Sequence, residues 1–203
     1  MRIKLLNYLY LALHQIIKMK KVSFTEMKNG TKEDYLILDK HEKEFASKTA
    51  ERIIKYMHGL TETLEGYQVS RLEHSLQSAT RAYNNKENEE MIVATLLHDI
   101  GDDLAPMNHS EYAAAILKPY VSERTHWIIE KHGEFQTYYY AHYLGGDKNK
   151  REKYKDHEYY QDTIDFCEKY DQNSFDPNYE SLPLKFFEPM VKKIFSRKPY
   201  SFL

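Results

Sequence analysis

The sequence has a single cysteine, Cys167, among its 203 residues. A disulfide within the chain is therefore excluded, and a lone thiol is typical of a protein from the reducing cytoplasm, which is the location we expect. The thiol lies in "DFCEKY", where no histidine or asparagine stands beside it. We therefore interpret Cys167 as a small helix residue rather than as a nucleophile.

An excess of charge of one sign is also missing. Lysine and arginine together number 29 and aspartate and glutamate 31, which leaves a formal net charge of −2. The chain thus lacks the overall basic charge that attracts nucleic acid or an anionic membrane surface, and we expect neither as a partner.

Long apolar runs are lacking as well, since none reaches the roughly 20 residues that a membrane-spanning helix needs. The segment "LLNYLYLALHQII", residues 5–17, is interrupted by Asn7, His14 and Gln15 and has no small-residue cleavage site after it. We interpret it as an amphipathic helix, or as residues upstream of a true start at Met19 or Met27. Residues 1–21 are accordingly treated as an N-terminal extension and residues 22–203 as one domain.

Strand signals are nearly absent, and helical periodicity is widespread instead. Apolar residues recur at steps of three and four between candidate N-cap residues and glycine or proline stops. The predicted helical segments are 32–60 (two helices), 70–85, 88–101, 108–120, 122–133 and 159–171. The segment 181–195 is expected to be a packing tail. The fold class predicted is all-α, a single helical bundle.

Several ionisable residues lie within or at the ends of the apolar stripes of these helices: His74, His98, Asp99, His109 and His132. Any one of these histidines alone is more typical of a residue whose ring nitrogens are hydrogen-bonded in the core or at its rim. Burying several unpaired ionisable groups, however, costs several kcal/mol each. Metal coordination would satisfy all of them, and imidazole and carboxylate ligands suit iron, manganese or zinc.

The pair His98-Asp99 ends the apolar run "ATLLHDIGDD". Adjacent residues on a regular helix diverge by about 100°, so both can face one ion only where the helix ends, as it does near Gly101. A carboxylate can also bridge two metals about 3.5–4 Å apart. The pair therefore suggests a dinuclear site with Asp99 between the metals.

The ordered motifs "LEHSLQSA", "LLHDIG", "NHSEYAAAIL" and "IEKHGEF" resemble those of the HD-domain metalloenzyme superfamily. Within it the chain looks most like the mixed-valent diiron oxygenases, which include the organophosphonate-cleaving oxygenases and, more distantly, myo-inositol oxygenase. The resemblance extends from about Val22 to "FEPMVKKIF" near the end. It implies the helical HD fold.

The resemblance also implies a set of six metal ligands. These are His74, His98, Asp99 and Asp171 for a first iron, and the shared Asp99 with His109 and His132 for a second. Asp165 is the alternative to Asp171, and the usual position of this ligand near the end of the last core helix favours Asp171.

Two enzyme activities use such a ligand set. The first is an oxygenase with an Fe(II)/Fe(III) pair, which uses O2 to oxidise or cleave a small hydroxylated substrate. The second is a phosphohydrolase or phosphodiesterase with manganese or another divalent metal, which acts on nucleotides or phosphate esters. The "LEHSLQ" motif and the His109–His132 spacing favour the oxygenase. A non-catalytic, histidine-rich binding module is a third and more remote possibility.

Four further residues are predicted to contact or surround the substrate: Tyr67, Asp102, Gln136 and His142. Phosphonate-cleaving relatives have a histidine at the position of Asp102 and tend to have a lysine at that of Gln136, so these departures weaken the case for a phosphonate. Tyr67 stands where relatives that handle a primary amine would have a glutamate. A tyrosine there suits either a cation–π wall for a quaternary ammonium group or ordinary packing.

Overall fold

The structure, a computed structural model, describes residues 21–62 and 65–199. Within these ranges the backbone forms eight α-helices and no strand, so the all-α prediction is confirmed. None of the helices in the same ranges is long and apolar enough to cross a bilayer. The predicted N-terminal extension lies outside the described residues, apart from Lys21.

The chain divides after Thr49 into two compact units. The described part of the first unit contains helix α1, Lys32–Ala46, which begins with a capping box between Thr31 and Asp34. Asp34 also accepts hydrogen bonds from the backbone and the hydroxyl of Ser23. The backbone N–H groups of Thr31 and Ser23 lower the pKa of Asp34 to about 2.

Seven more helices follow: α2 Thr49–Met57, α3 Arg71–Asn84, α4 Glu89–Leu97, α5 His109–Leu117, α6 Glu123–Tyr140, α7 Tyr160–Phe166 and α8 Leu184–Phe195. A π-helical turn, Cys167–Asp171, continues α7. Helices α3, α4 and α6 begin after the N-cap residues Ser70, Asn88 and Ser122. Each of these side chains accepts a hydrogen bond from the backbone N–H of the residue three positions later.

Helix α4 lies at the centre of the second unit. All its residues from Met91 to Leu97 are buried, which fits a helix that is apolar on every side. It packs against α3, α6 and α8. Because α4 runs directly into His98 and Asp99, the most buried helix of this unit delivers the polar pair into its interior.

Helix α6 does not end at Gly133, as the sequence predicted, but continues to Tyr140. Gly133 serves close packing instead, because a Cβ there would collide with Ser110 Oγ and lie 3.3 Å from His109 Nε2. The glycine therefore lets the middle of α6 approach the start of α5.

The segment 181–195, expected to be a packing tail, contains helix α8. Phe187, Val191 and Ile194 follow one another at steps of four and three and are buried in the core. The two prolines in the segment obscured this spacing. Pro183 occupies the N-cap, and Pro189 is accommodated inside the helix.

Candidate metal centre

The six predicted ligands come from five different elements and meet in the interior of the second unit. They are His74 on α3, His98 and Asp99 after α4, His109 at the start of α5, His132 on α6 and Asp171 in the π-helical turn. All are buried except His109, whose side chain is 27 % exposed.

A first group of side chains surrounds one oxygen of Asp99. His74 Nε2 lies 3.1 Å from His98 Nε2 and 3.4 Å from Asp171 Oδ1. Asp99 Oδ2 lies 3.2 Å from His74 Nε2 and 3.4 Å from His98 Nε2. The ligating atoms of His74, His98 and Asp171 are close enough together to hold a single ion.

A second group surrounds the other oxygen of the same carboxylate. Asp99 Oδ1 lies 3.2 Å from His132 Nε2 and 3.4 Å from His109 Nε2. One oxygen of Asp99 thus faces each group, which is the arrangement of a carboxylate that bridges two metals.

Three of the histidines are oriented by the backbone. The Nδ1 atom of each lies within hydrogen-bonding distance of a backbone carbonyl oxygen. The distance is 2.9 Å from His74 to Ser174 O, 2.7 Å from His98 to Thr95 O and 2.7 Å from His132 to Ile129 O. A carbonyl oxygen can only accept, so each Nδ1 carries the proton. In the neutral rings the lone pair is therefore on Nε2 and points into the cluster, as a metal ligand requires.

The donor set fits a cation. His74 Nε2 and His98 Nε2 lie 3.1 Å apart. Because both rings carry their proton on Nδ1, the two Nε2 lone pairs face each other when the rings are neutral. This arrangement is favourable only when a proton or a metal ion lies beside the two nitrogens. Burial lowers the pKa of His74, but hydrogen bonds with Asp171 and Asp99 outweigh it and raise that pKa to about 9. A positive charge at this point, whether from a proton or from a metal ion, is therefore favourable.

The π-helical turn decides which aspartate joins the cluster. The Gln172 N–H donates to Cys167 O at 2.9 Å, one residue farther back than in an α-helix. Asp171 at the end of this turn is buried within the first group. Asp165 lies on the outer face of α7, where it pairs with Lys169 and Gln161.

A cavity of about 330 Å³ opens beside the second group. Its walls include the metal-ligand candidates Asp99, His109, His132 and Asp171, together with Tyr67, Arg71, Gly133, Gln136, Tyr139, Tyr140, Gln172 and Phe175. Aromatic rings and amides make up most of the wall away from the cluster.

Two of the four predicted substrate residues, Tyr67 and Gln136, line this cavity. The Oε1 atom of Gln136 is buried and finds no hydrogen-bond partner among the described residues. Asp102 is absent from the cavity wall; it is ion-paired with Arg71. His142 is exposed in the 3₁₀ turn after α6, and the structure does not bring it to the cavity.

The ring of Tyr67 already has protein partners. The Arg71 guanidinium carbon lies 5.2 Å from its centroid, and the Phe175 ring stacks on it at 5.0 Å. The cation–π contact of Tyr67 in this structure is therefore with Arg71.

Sequence reasoning missed Arg71 and Phe175. Arg71 is buried and forms ion pairs with both Asp99 and Asp102. It precedes His74 by one helical turn, so its position on the same face of α3 was a usable signal. Phe175 stacks on the ring of His74 at 4.4 Å, and its position in a loop gave no such signal.

A comparison with protein families matches the HD domain to residues 71–168. This range includes five of the six candidate ligands, and Asp171 follows it by three residues. A search of curated proteins found no match to the chain.

Proposed function

We propose that this HD-domain protein is a dinuclear metal-dependent oxygenase that uses O2 to oxidise or cleave a small hydroxylated substrate. The observation that carries the proposal is the position of Asp99, with one carboxylate oxygen toward each of two groups of ligands. When bound, an Fe(II)/Fe(III) pair would supply one site for the substrate hydroxyl and one for dioxygen.

The composition of the second group favours the oxygenase. Asp99, His109 and His132 form a set of two histidines and one carboxylate, which in non-haem iron oxygenases leaves several coordination positions open. All three side chains line the cavity, so a substrate there has direct access to this group.

The cavity wall contributes binding and orientation. The buried Oε1 of Gln136 is placed to accept a hydrogen bond from a donor on the substrate, which would remove the cost of leaving it unpaired. Burial raises the pKa of Tyr139 to about 12, so its hydroxyl stays protonated and can donate at neutral pH. Phe175 covers His74 and shields the first group from water.

The charge of the wall argues for a neutral or cationic substrate rather than a phosphonate. Among the described residues of the wall, Arg71 is the one lysine or arginine, and its charge is offset by Asp99 and Asp102. Tyr139 and Tyr140 add aromatic surface, which favours a hydroxylated quaternary ammonium compound through cation–π contacts.

A phosphohydrolase is the second candidate. The bridging position of Asp99 would also hold two divalent metals, such as manganese, on either side of a phosphate group. The metal bound and the substrate turned over therefore decide between the two activities.

The first experiment is metal analysis with EPR of the protein purified from iron-supplemented cells and partly reduced with ascorbate. About two irons per chain, with a half-integer-spin signal at g values below that of the free electron, would support the oxygenase. Oxygen consumption would then be screened with hydroxylated quaternary ammonium compounds and phosphonates. Manganese or zinc without this signal, together with phosphate release from nucleotides or phosphate esters, would favour the hydrolase.

The ligand assignment is tested with a matched pair of variants. Asp171→Ala removes a buried carboxylate of the first group, whereas Asp165→Ala removes an exposed one six residues earlier. We expect Asp171→Ala to lose at least one metal and the EPR signal, and Asp165→Ala to keep both. Equal metal content in the two variants would contradict Asp171 as a ligand.

A further inference from the structure

His109 differs from the other three histidines of the cluster in how its outer nitrogen is held. The others present Nδ1 to a backbone carbonyl, whereas His109 Nδ1 lies 3.3 Å from the carboxylate oxygen Asp102 Oδ1. Its side chain is also the most exposed of the four, at 27 %. The orientation of His109 therefore depends on another side chain.

Asp102 is in turn held by Arg71. The Arg71 guanidinium contacts Asp102 Oδ2, and both side chains are only 7 % exposed. Because the same guanidinium contacts Asp99 and lies against the ring of Tyr67, it has little freedom to move. A chain of contacts thus runs from α3 through Arg71 and Asp102 to His109.

We propose that the Arg71–Asp102 ion pair is the positioning unit of the second metal site. His109 Nδ1–H donates to Asp102 Oδ1, which directs the Nε2 lone pair of His109 toward Asp99 Oδ1, and Arg71 holds Asp102 in place. This proposal rests on the proposed function, because it presupposes two bound metals. Asp102 acts here through His109, although its carboxylate also lies close enough to Asp99 and His109 to join an ion-binding group, and Arg71 acts through Asp102.

The first metal site touches this pair only through Arg71, which also contacts Asp99 Oδ2, the oxygen that faces the first group. Asp102 contacts no member of that group except the shared Asp99. His74 and His98 are oriented by the carbonyls of Ser174 and Thr95, which a change at Arg71 or Asp102 leaves in place. Loss of a partner that orients a ligating histidine commonly weakens metal affinity about 10- to 100-fold. We therefore expect a selective loss at the second site.

The test is an anaerobic Fe(II) titration of the metal-free protein, with Mn(II) as a second probe, that counts the tight sites and measures the affinity of each. Asp102→Ala should retain one tight site and bind the second metal about 10- to 100-fold more weakly. Arg71→Met should weaken the second site in the same way and affect the first site less, although Asp99 Oδ2 also loses a partner in this variant. Arg71→Lys, which keeps the charge but not the planar fork, should restore part of the lost affinity.

Two controls match these variants. Asp103→Ala removes the neighbouring carboxylate, which is exposed and accepts a hydrogen bond from Tyr56 at 3.2 Å. Arg124→Met removes a different ion pair, with Asp162 at 2.6 Å. Both should keep two tight sites. Should Arg71→Met fail to fold, Asp102→Asn, which has nearly the same size as the original side chain, makes the same measurement.

The outcomes separate this proposal from the function on which it rests. A wild-type protein that binds fewer than two metals would overturn both. A two-metal wild type whose Arg71 and Asp102 variants bind the second metal with unchanged affinity would overturn the positioning role alone. Equal weakening of both sites in Asp102→Ala would do the same, because the effect would then not be specific to His109.

Discussion

Gly101 lies where the turn after His98-Asp99 meets the start of α5. A Cβ at this position would lie 2.8 Å from the carbonyl oxygen and 2.9 Å from the Cα of His109, and 3.0 Å from Tyr112 Cβ. Two of these three atoms belong to the backbone, which cannot turn away as a long side chain can. The absence of a side chain at Gly101 therefore sets how closely His109 approaches Asp99.

We predict that Gly101→Ala lowers the free energy of unfolding by about 1–3 kcal/mol, the usual cost of overpacking, and weakens the second metal site. Urea denaturation and metal titration measure the two effects. The control is Gly59→Ala, since a Cβ on Gly59 would meet nothing within 4 Å. A Gly101→Ala protein as stable as the control would show that α5 shifts without cost.

At the scale of elements, Glu90 joins three helices. Its carboxylate accepts hydrogen bonds from the N–H and hydroxyl of Ser122 and from the hydroxyl of Thr125, and it pairs with Arg197. These residues lie before α6, in its first turn and just after α8. Burial raises the pKa of Glu90, but the hydrogen bonds from Ser122 and Arg197 outweigh it and lower that pKa to about 2.

A carboxylate whose pKa is lower in the folded than in the unfolded state stabilises the fold. For Glu90 this contribution is present at pH values above its unfolded pKa of 4.5 and is lost as the pH falls toward 2. We predict that Glu90→Gln lowers the free energy of unfolding by about 1 kcal/mol at pH 7, and that the difference from the wild type shrinks between pH 4.5 and 2. Urea denaturation across this range measures it. Glu89→Gln, which removes an exposed pair with Lys193, should cost less than about 0.5 kcal/mol. A constant difference at all pH values would contradict the prediction.

At the scale of the whole second unit, the cluster lies where α3, α4, α5, α6 and the π-helical turn meet. Within it the negative charges of Asp99 and Asp171 are buried, and two metal ions would neutralise them while joining all five elements. Because the unfolded chain has no such preformed site, metal binding at this cluster would be coupled to the stability of the fold.

We predict that a chelator lowers the stability of the metal-loaded protein by about 4 kcal/mol for a metal present at roughly 1,000 times its dissociation constant. The melting temperature should fall by on the order of 10 °C, as measured by calorimetry or circular dichroism. His74→Ala provides the control, because it lacks a central ligand and should respond less to the chelator. A wild-type melting temperature that does not depend on metal would argue against occupancy of the cluster.

Much of the fold could be predicted from local patterns. Caps such as Ser70, Asn88 and Ser122 act within one turn of their own helix, so they are visible in the sequence. Five of the six side chains that meet in the cluster were also visible, because each is a polar residue within or beside an apolar stripe, whereas Asp171 followed only from the family resemblance. Their roles as metal ligands remain a prediction that metal analysis will test.

The remaining features depend on contacts between residues far apart in the chain. Gly133 looked like a helix stop until its contact with the start of α5 was known, and Asp171 was preferred to Asp165 without knowledge of the π-helical turn. Arg71 shares the face of α3 that carries His74, but its two aspartate partners come from the segment after α4 and are seen only in the structure. Local pattern thus predicted most of the described helices and five of the six candidate ligands. Only tertiary packing decided how closely those helices approach and which side chains the buried charges meet.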